Sequence, residues 1–347
     1  MKTVILGFSG GVDSAVAALL LRREGYDVRG AFLDVCANGA AEDAIRTAEY
    51  LRLPLEVIDA RSALEENVCR PFAEGYLRGE TLNPCLLCNP SVKLRTLLER
   101  ADAQGAEYIA TGHYARLENG AVYMGCRDKD QSYQLATMKK EQLARLLLPL
   151  GALEKPRVRE IAAEAGIPIA QKPDSMDICF IPDHDYAAWL ERRGGAPGPG
   201  PCVFRGETIG RHEGIHHWTV GQRWGELYNG RRLYVAKIIP ETNTLEMALW
   251  EELFSCEIDA RDMNWLVDAP REPFRGRVRA RHTRWETPEC TVTPLEDGRV
   301  HIVTDTPIRA PAKGQTVALY DGERLLGGGR PFFLSHMHAQ IPPKGLL

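Results

Sequence analysis

Ser9-Gly10-Gly11-Val12-Asp13-Ser14 lies between the apolar run Val4-Ile5-Leu6-Gly7-Phe8 and the helical pattern Ala15-Val16-Ala17-Ala18-Leu19-Leu20-Leu21. Strand, short glycine loop and helix in this order form a cradle for an anion. Two adjacent glycines let successive backbone N–H groups turn inward, Ser9 and Ser14 add hydroxyl donors, and the helix offers its positive N-terminal dipole. Asp13 suits a Mg²⁺ ion that bridges phosphate oxygens. The loop lacks the Gly-Lys-Ser/Thr ending of a Walker loop and the three-glycine spacing of a dinucleotide fingerprint, which disfavours γ-phosphoryl transfer and hydride chemistry. The competing reading is an ordinary Gly-Ser turn between strand and helix.

Outward from this loop, β-rich runs alternate with amphipathic helical stretches: Thr3–Phe8, a helix to Arg23, Asp27–Asp34, a helix across Ala41–Arg52, Leu55–Asp59, a helical Val92–Ala103, and Glu107–Thr111 running into Gly112-His113-Tyr114. Such alternation predicts an α/β fold with a doubly wound, mostly parallel sheet, whose ligands collect at the carboxyl ends of the strands. The Gly- and Pro-rich stretch between Arg193 and Pro201 cannot hold a helix or a central strand and marks a domain boundary. Beyond it come short strand-like segments, Cys202–Phe204, Arg232–Ile239, Thr244–Met247, Arg275–His282, Cys290–Thr293, Val300–Thr304 and Thr316–Tyr320. They predict small β domains, the last a barrel. The expected organisation is a catalytic domain over 1–195, a small central β domain over 200–262, a C-terminal β-barrel over 263–330 and a tail over 331–347.

The chain has 347 residues, 44% hydrophobic and 26% charged, the balance of a globular protein of two or three domains. No apolar stretch reaches the roughly 20 residues that span a bilayer, and no secretory leader is read at the N-terminus. Nine cysteines, an odd number, argue for reduced thiols rather than a secreted disulfide framework, and so for the cytoplasm. A net charge of -4 excludes a uniformly basic nucleic-acid binder but leaves local patches open.

The thiols narrow the chemistry. Asn83-Pro84-Cys85-Leu86-Leu87-Cys88-Asn89 puts two of them three residues apart before a helix expected to begin near Ser91, whose dipole would lower a thiol pKa. Cys179 stands within Asp174-Ser175-Met176-Asp177-Ile178-Cys179-Phe180-Ile181. SGGVDS resembles the PP-loop of enzymes that cleave ATP between the α and β phosphates and adenylate a substrate oxygen. Joined to distant thiols, that loop suggests sulfur transfer, with a sulfur nucleophile displacing the activated oxygen. Three readings compete: a zinc site, which lacks a second CxxC or HxxxH; small buried hydrophobes, the expectation for Cys36, Cys69, Cys126, Cys202, Cys256 and Cys290; and a [4Fe–4S] cluster held through three irons by Cys85, Cys88 and Cys179.

With SGGVDS, NPCLLCN, ATGHYAR, KDQSY and DSMDICFI in this order, the chain resembles the tRNA-specific 2-thiouridylase family from its N-terminus to about Gly329. The resemblance implies a PP-loop domain, a central β domain and a C-terminal β-barrel. It also implies ATP-dependent 2-thiolation of the wobble uridine in tRNAs of the Lys, Glu and Gln type, through adenylation of the C2 oxygen. By position, Cys179 would carry a persulfide received from a cysteine desulfurase or relay protein, and Cys88 would be the partner thiol that forms a disulfide or frees sulfide. Many members have an aspartate where this chain has Cys85; a thiol does not replace an acid, which gives the cluster reading weight. The resemblance further implies that Gly7, Phe8 and Ser9, Gly10, Gly11, Val12, Asp13 and Ser14 contact phosphates. Phe32 and Leu33 would lie at the adenine and Gly112 beside the nucleotide. Lys129, Asp130, Gln131 and His113 would meet the tRNA anticodon stem-loop, whose target uridine must leave its stack. His113 could instead brace a loop, and Asp130-Gln131 could be a solvated helix start.

Arg275, Arg277, Arg279 and Arg281 recur at every second residue, so a strand would project all four from one face. Six arginines against Glu272 alone give residues 271–284 a local charge near +5, enough to follow a phosphate backbone. A charged, aggregation-resistant edge strand is the competing reading. Arg223 with Trp224, Lys139-Lys140, Lys155, Arg157 and Arg159 are weaker candidates of the same kind. Two rival functions remain: a PP-loop amidotransferase, which has no use for Cys88 and Cys179, and a non-catalytic RNA-binding module, against which Ser9, Asp13 and Ser14 weigh.

Overall fold

A computed structural model describes residues 1–36, 39–170, 178–181, 183–281 and 287–332. The chain divides into two compact units, one formed by Met1–Cys69, Pro84–Phe180 and Glu323–Leu325, the other by Arg70–Asn83, Ile181–Gly322 and Leu326–Leu347.

The first unit is built on a five-stranded parallel sheet. Its strand order is β3 (Leu55–Asp59), β2 (Asp27–Asp34), β1 (Thr3–Gly7), β4 (Tyr108–Ala110) and Leu146–Leu147. Val4, Ile5 and Leu6 are at most 1% exposed, because both faces of a parallel sheet are covered and the strand can be apolar at every position. Helix α1 (Val12–Arg23) packs through the small Ala15, Ala17 and Ala18, which let it approach the sheet closely. From β1 the chain winds outward through α2 (Ala40–Tyr50) in one direction, and β4 starts the other. The carboxyl ends of β1 and β4 therefore frame the switch point where doubly wound sheets bind ligands.

The second unit holds two β bodies. A five-stranded sheet orders Arg223–Tyr228, Arg231–Ile239, Thr244–Ala248, Gly200–Phe204 and Glu207–His212 around Trp224, Leu233, Val235 and Leu245. The other is a six-stranded antiparallel barrel: Phe254–Trp265, Val300–Arg309, Glu289–Pro294, Phe274–Arg279, Val317–Asp321 and Arg324–Phe332, closed by pairing of the last with the first. Ile258, Val278, Val292, Ile302 and Leu319 fill it. The excursion Arg70–Asn83 belongs to this unit through ring contacts of Phe72 with Trp189 and Tyr76 with Tyr186, and through Thr81 N–H donating to the Lys313 carbonyl at 2.8 Å.

Two expectations change. The helix placed near Ser91 begins at Pro84, so Cys85 and Cys88 lie inside a continuous helical run: Pro84–Cys88, a π-helical turn over Asn89–Lys93, then Leu94–Gln104. The wide turn has a cause in the sequence. Pro90 has no N–H to give the Leu86 carbonyl, and the Thr137 hydroxyl donates to it instead at 2.6 Å. The barrel strand expected over Arg275–His282 ends at Arg279, and residues 282–286 lie outside those described.

No helix among the described residues is long and apolar enough to cross a membrane.

Candidate active site

The loop between β1 and α1 has the expected strand–loop–helix form. Gly10 has φ +74°, and a Cβ there would fall 2.5 Å from the Ala44 Cα at the start of α2, so both backbone conformation and close approach demand glycine. Gly11 is the N-cap of α1, and among the described residues no side chain caps it, which leaves the first-turn N–H groups for an anion. Ser14 Oγ donates to the Gly11 carbonyl at 3.0 Å and lies 3.3 Å from Ser9 Oγ, so the two hydroxyls sit together on one side of the loop. Phe8 and Val12 are buried, so they can offer the nest only backbone. Gly112, just past β4, faces the loop: a Cβ on it would lie 3.3 Å from Asp13 Cβ.

Asp13 is already engaged. Lys155 Nζ lies 2.6 Å from its Oδ1, and Tyr114 donates its hydroxyl to the same oxygen at 2.5 Å. Gln131 holds Tyr114 in turn, accepting from its backbone N–H at 2.9 Å and donating its own N–H to its carbonyl at 2.8 Å. Asp130 accepts from Gly125 N–H, Ser132 N–H and Ser132 Oγ at 2.8–3.0 Å, fixing the same turn. His113 is buried, 2.7 Å from the Thr111 hydroxyl through Nδ1. Burial, and then Lys93, push its pKa down to about 3, so the imidazole is neutral and braces the end of β4.

The thiols meet at the same edge of the sheet. Cys36, two residues beyond the end of β2, donates its thiol to the Cys179 carbonyl at 3.2 Å. Cys88, Cys36 and Cys85 all lie near enough to oppose ionisation of Cys179. Cys179 keeps an exposed face, yet loss of hydration around its thiol, with those neighbours, pushes its pKa up to about 12. Burial likewise raises Cys88, which Lys93 partly offsets. For Cys88 the expectation of a lowered pKa is not met: it closes the helical segment Pro84–Cys88 instead of preceding a helix, and desolvation raises its pKa. Cys36 was expected to be a buried hydrophobe and is a half-buried neighbour of Cys179. The roles of Tyr114 and Lys155 on Asp13 were not visible in the sequence, since they lie 101 and 142 residues away from it. Residues 174–177 of the Cys179 segment lie outside those described.

Three family models match the chain in succession: the tRNA methyl transferase HUP domain over residues 2–183, the tRNA methyl transferase PRC-barrel domain over 191–248 and the aminomethyltransferase beta-barrel domain over 255–330. The chain is 39% identical to the tRNA-specific 2-thiouridylase MnmA of Acetivibrio thermocellus across 94% of this chain and 98% of that protein. The chain belongs to the tRNA-specific 2-thiouridylase family. Another member, from Pelotomaculum thermopropionicum, is 41% identical across 94% of this chain and 96% of its own length, and one from Clostridioides difficile is 38% identical across 94% and 97%. Among solved structures, a 4-thiouridine synthetase–RNA complex with bound ATP aligns at 20% identity over 55% of this chain and 50% of that one, with a TM-score of 0.36.

For a member of the 2-thiouridylase family the basic residues are unevenly placed. In the second unit, Arg223 is exposed at the start of its strand, whereas Trp224 is buried in the core. The arginine row is not a free cationic stripe. Arg275 pairs with Asp305 at 2.6 Å, Arg277 lies 3.6 Å from Glu289, and Arg279 is 6% exposed with its guanidinium 5.5 Å from the Tyr320 ring centre. Arg281 lies beyond the strand and donates to the Val220 and Ala310 carbonyls at 3.2 and 3.3 Å. The neutralising acids come from other strands of the barrel, Glu289 from the adjacent one and Asp305 from the one beyond it, which a local charge count does not see. In the first unit, Lys129 sits half-buried in the turn before Asp130.

Proposed function

We propose that the protein is a tRNA sulfurtransferase that adenylates the C2 oxygen of a wobble uridine with ATP and replaces it with sulfur carried on Cys179. The observation that carries this reading is the Cys36–Cys179 contact, which ties the sulfur-bearing segment to the carboxyl end of β2, beside the phosphate cradle that follows β1.

The backbone nest of residues 9–14 and the hydroxyls of Ser9 and Ser14 would hold the phosphates, with Leu33 and Gly112 along the nucleotide. Lys155, on Asp13, puts an ammonium where negative charge grows as the α–β bond breaks. Asp13 fits a Mg²⁺ ion as the single carboxylate that such an ion takes beside phosphates, and the ion would neutralise the departing pyrophosphate. Tyr114, Gln131 and Asp130 form one braced turn whose outer face, with Lys129, would receive the flipped uridine of the anticodon loop.

Cys179 receives sulfur from a cysteine desulfurase or relay protein as a persulfide. The terminal sulfur attacks the activated C2 carbon and AMP leaves with the oxygen. Cys88 then attacks the Cys179 sulfur, the old S–S bond breaks, and a Cys88–Cys179 disulfide remains as the thiocarbonyl forms. An external thiol reductant returns both groups to thiols. Lys93, which lowers the pKa of both, is the cation that favours their thiolates.

Cys85 favours a second reading. It is an exposed thiol within electrostatic reach of Cys88 and Cys179, so these three could hold three irons of a [4Fe–4S] cluster whose fourth iron carries sulfide. Replacing Cys179 with serine tests the function: tRNA-dependent pyrophosphate release should persist while 2-thiouridine disappears. Normal 2-thiouridine formation by that variant would refute the role of Cys179.

A further inference from the structure

In the second unit, three ligating groups that the proposed reaction does not use converge. Glu191 lies in the last turn of the helix Tyr186–Arg192, and His216 and His217 lie in the 3-10 turn Ile215–His217. Glu191 Oε1 is 3.2 Å from Nε2 of His216 and 3.1 Å from Nε2 of His217, and one ligand atom from each residue lies within 4.8 Å of the others. Among the described residues this is the one such trio of His, Cys, Asp or Glu.

Both distances lie at the long end of the hydrogen-bond range and match coordination as well. Charge-assisted N–H···O contacts run at about 2.7–2.9 Å, shorter than both distances here. A tetrahedral ion with ligand bonds of about 2.0–2.1 Å sets neighbouring ligand atoms about 3.3 Å apart, close to both. A single carboxylate oxygen facing two ring nitrogens is the arrangement that a shared ion would impose.

The surroundings hold the trio in place. His216 is 2% exposed, and its Nδ1 has no partner, so the ring is fixed by packing with only Nε2 engaged. A Cβ at position 214 would fall 2.4 Å from the His216 ring, so Gly214 is what admits the imidazole. The two rings lie 4.2 Å apart at 44°. Tyr186, from the same helix as Glu191, donates its hydroxyl to the His217 carbonyl at 3.0 Å and fixes the backbone of the turn. Glu191 and His217 face solvent in part, leaving an entry path and a fourth position for water.

We propose that Glu191, His216 and His217 bind a divalent transition-metal ion of the Zn²⁺ class. Two imidazoles and one carboxylate with an open position are a zinc donor set. The ion would clip the end of the helix Tyr186–Arg192 to the turn that leads into Thr219-Val220-Gly221, closing the loop that contains the Gly/Pro-rich stretch.

The test uses the full chain, stripped with a chelator and treated with iodoacetamide so that accessible thiols cannot bind metal. One equivalent of Zn²⁺ is added, and binding is followed by titration calorimetry and zinc-edge X-ray absorption. The expected result is one bound ion with nitrogen and oxygen neighbours at about 2.0–2.1 Å. Glu191→Gln and His217→Ala, both at partly exposed positions, should weaken binding at least tenfold. Their melting temperatures in chelator should match the parent, and only the parent should gain stability from Zn²⁺. Sulfur neighbours at about 2.3 Å, no saturable binding, or equal affinity in the variants would each overturn the proposal.

Discussion

Lys155 Nζ and Asp13 Oδ1, 142 residues apart in sequence, meet at 2.6 Å, and the Lys155 side chain is only 11% exposed. This pair joins the start of the helix Lys155–Glu164 to the first turn of α1, so the loop's carboxylate and its counter-cation arrive together. Lys155→Met should slow tRNA-dependent pyrophosphate release by about a hundredfold, the scale for removing one preorganised donor from developing charge. Tyr114→Phe, which spares the ammonium, should cost less. Pyrophosphate release that is unchanged in Lys155→Met would remove Lys155 from the reaction.

Pro90 and Thr137 form a second coupled pair. Thr137→Val leaves the Leu86 carbonyl without its hydroxyl donor and should lower stability by about 1–2 kcal/mol. Adding Pro90→Ala supplies a backbone N–H and should recover part of that loss. Denaturant titration of the two single variants and the double variant measures the coupling; strict additivity would contradict it.

The thiols set a pH dependence with a definite sign. Cys179, raised to about 12, holds its proton in the folded protein at pH values where an unfolded cysteine, near 9, loses it. Its contribution to stability is therefore complete below pH 9 and is lost as pH rises from there toward 12. Alkylation of Cys179 should be slow at pH 8 and climb about tenfold per pH unit without a plateau up to pH 10, as read by mass spectrometry of the labelled peptide. Lys93→Met should slow it further, and a rate that levels off between pH 9 and 10 would show an ordinary thiol instead.

Arg223 and Arg279 should separate by phenotype. Exposed Arg223, changed to alanine, should weaken tRNA binding and lower the slope of log affinity against log salt by about 1. Buried Arg279, packed on Tyr320, should on the same change destabilise the barrel while leaving the salt slope as it was. Equal slopes in the two variants would erase the distinction.

Much of this was legible before any coordinates. The sheet and the phosphate cradle could be read because apolar runs, Gly10-Gly11 and a helical pattern specify one local geometry. Other parts depended on distant partners. The strand Phe254–Trp265 was missed because it is bonded on both sides and kinked at Asp262, φ +53°, so its apolar period breaks. The helix start at Pro84 is not legible locally, because Pro90 cannot donate to the Leu86 carbonyl and the group that does, Thr137, is distant in sequence. The arginine row looked cationic because its acids come from elsewhere in the sheet, Glu289 on the adjacent strand and Asp305 on the strand beyond it. Cys36 gave no signal at all: a lone thiol after a strand acquires meaning only from Cys179.

Sulfur delivery by Cys179 is tested most directly by a single turnover. Iron-free protein would be loaded with one ³⁵S-persulfide, the labelled residue located by mass spectrometry, and ATP, Mg²⁺ and tRNA added without any other sulfur source. The account predicts label on Cys179, its transfer to 2-thiouridine in step with pyrophosphate release, and a Cys88–Cys179 disulfide afterwards. Iron-free protein that releases pyrophosphate but transfers no label, while cluster-reconstituted protein makes 2-thiouridine from sulfide, would contradict it.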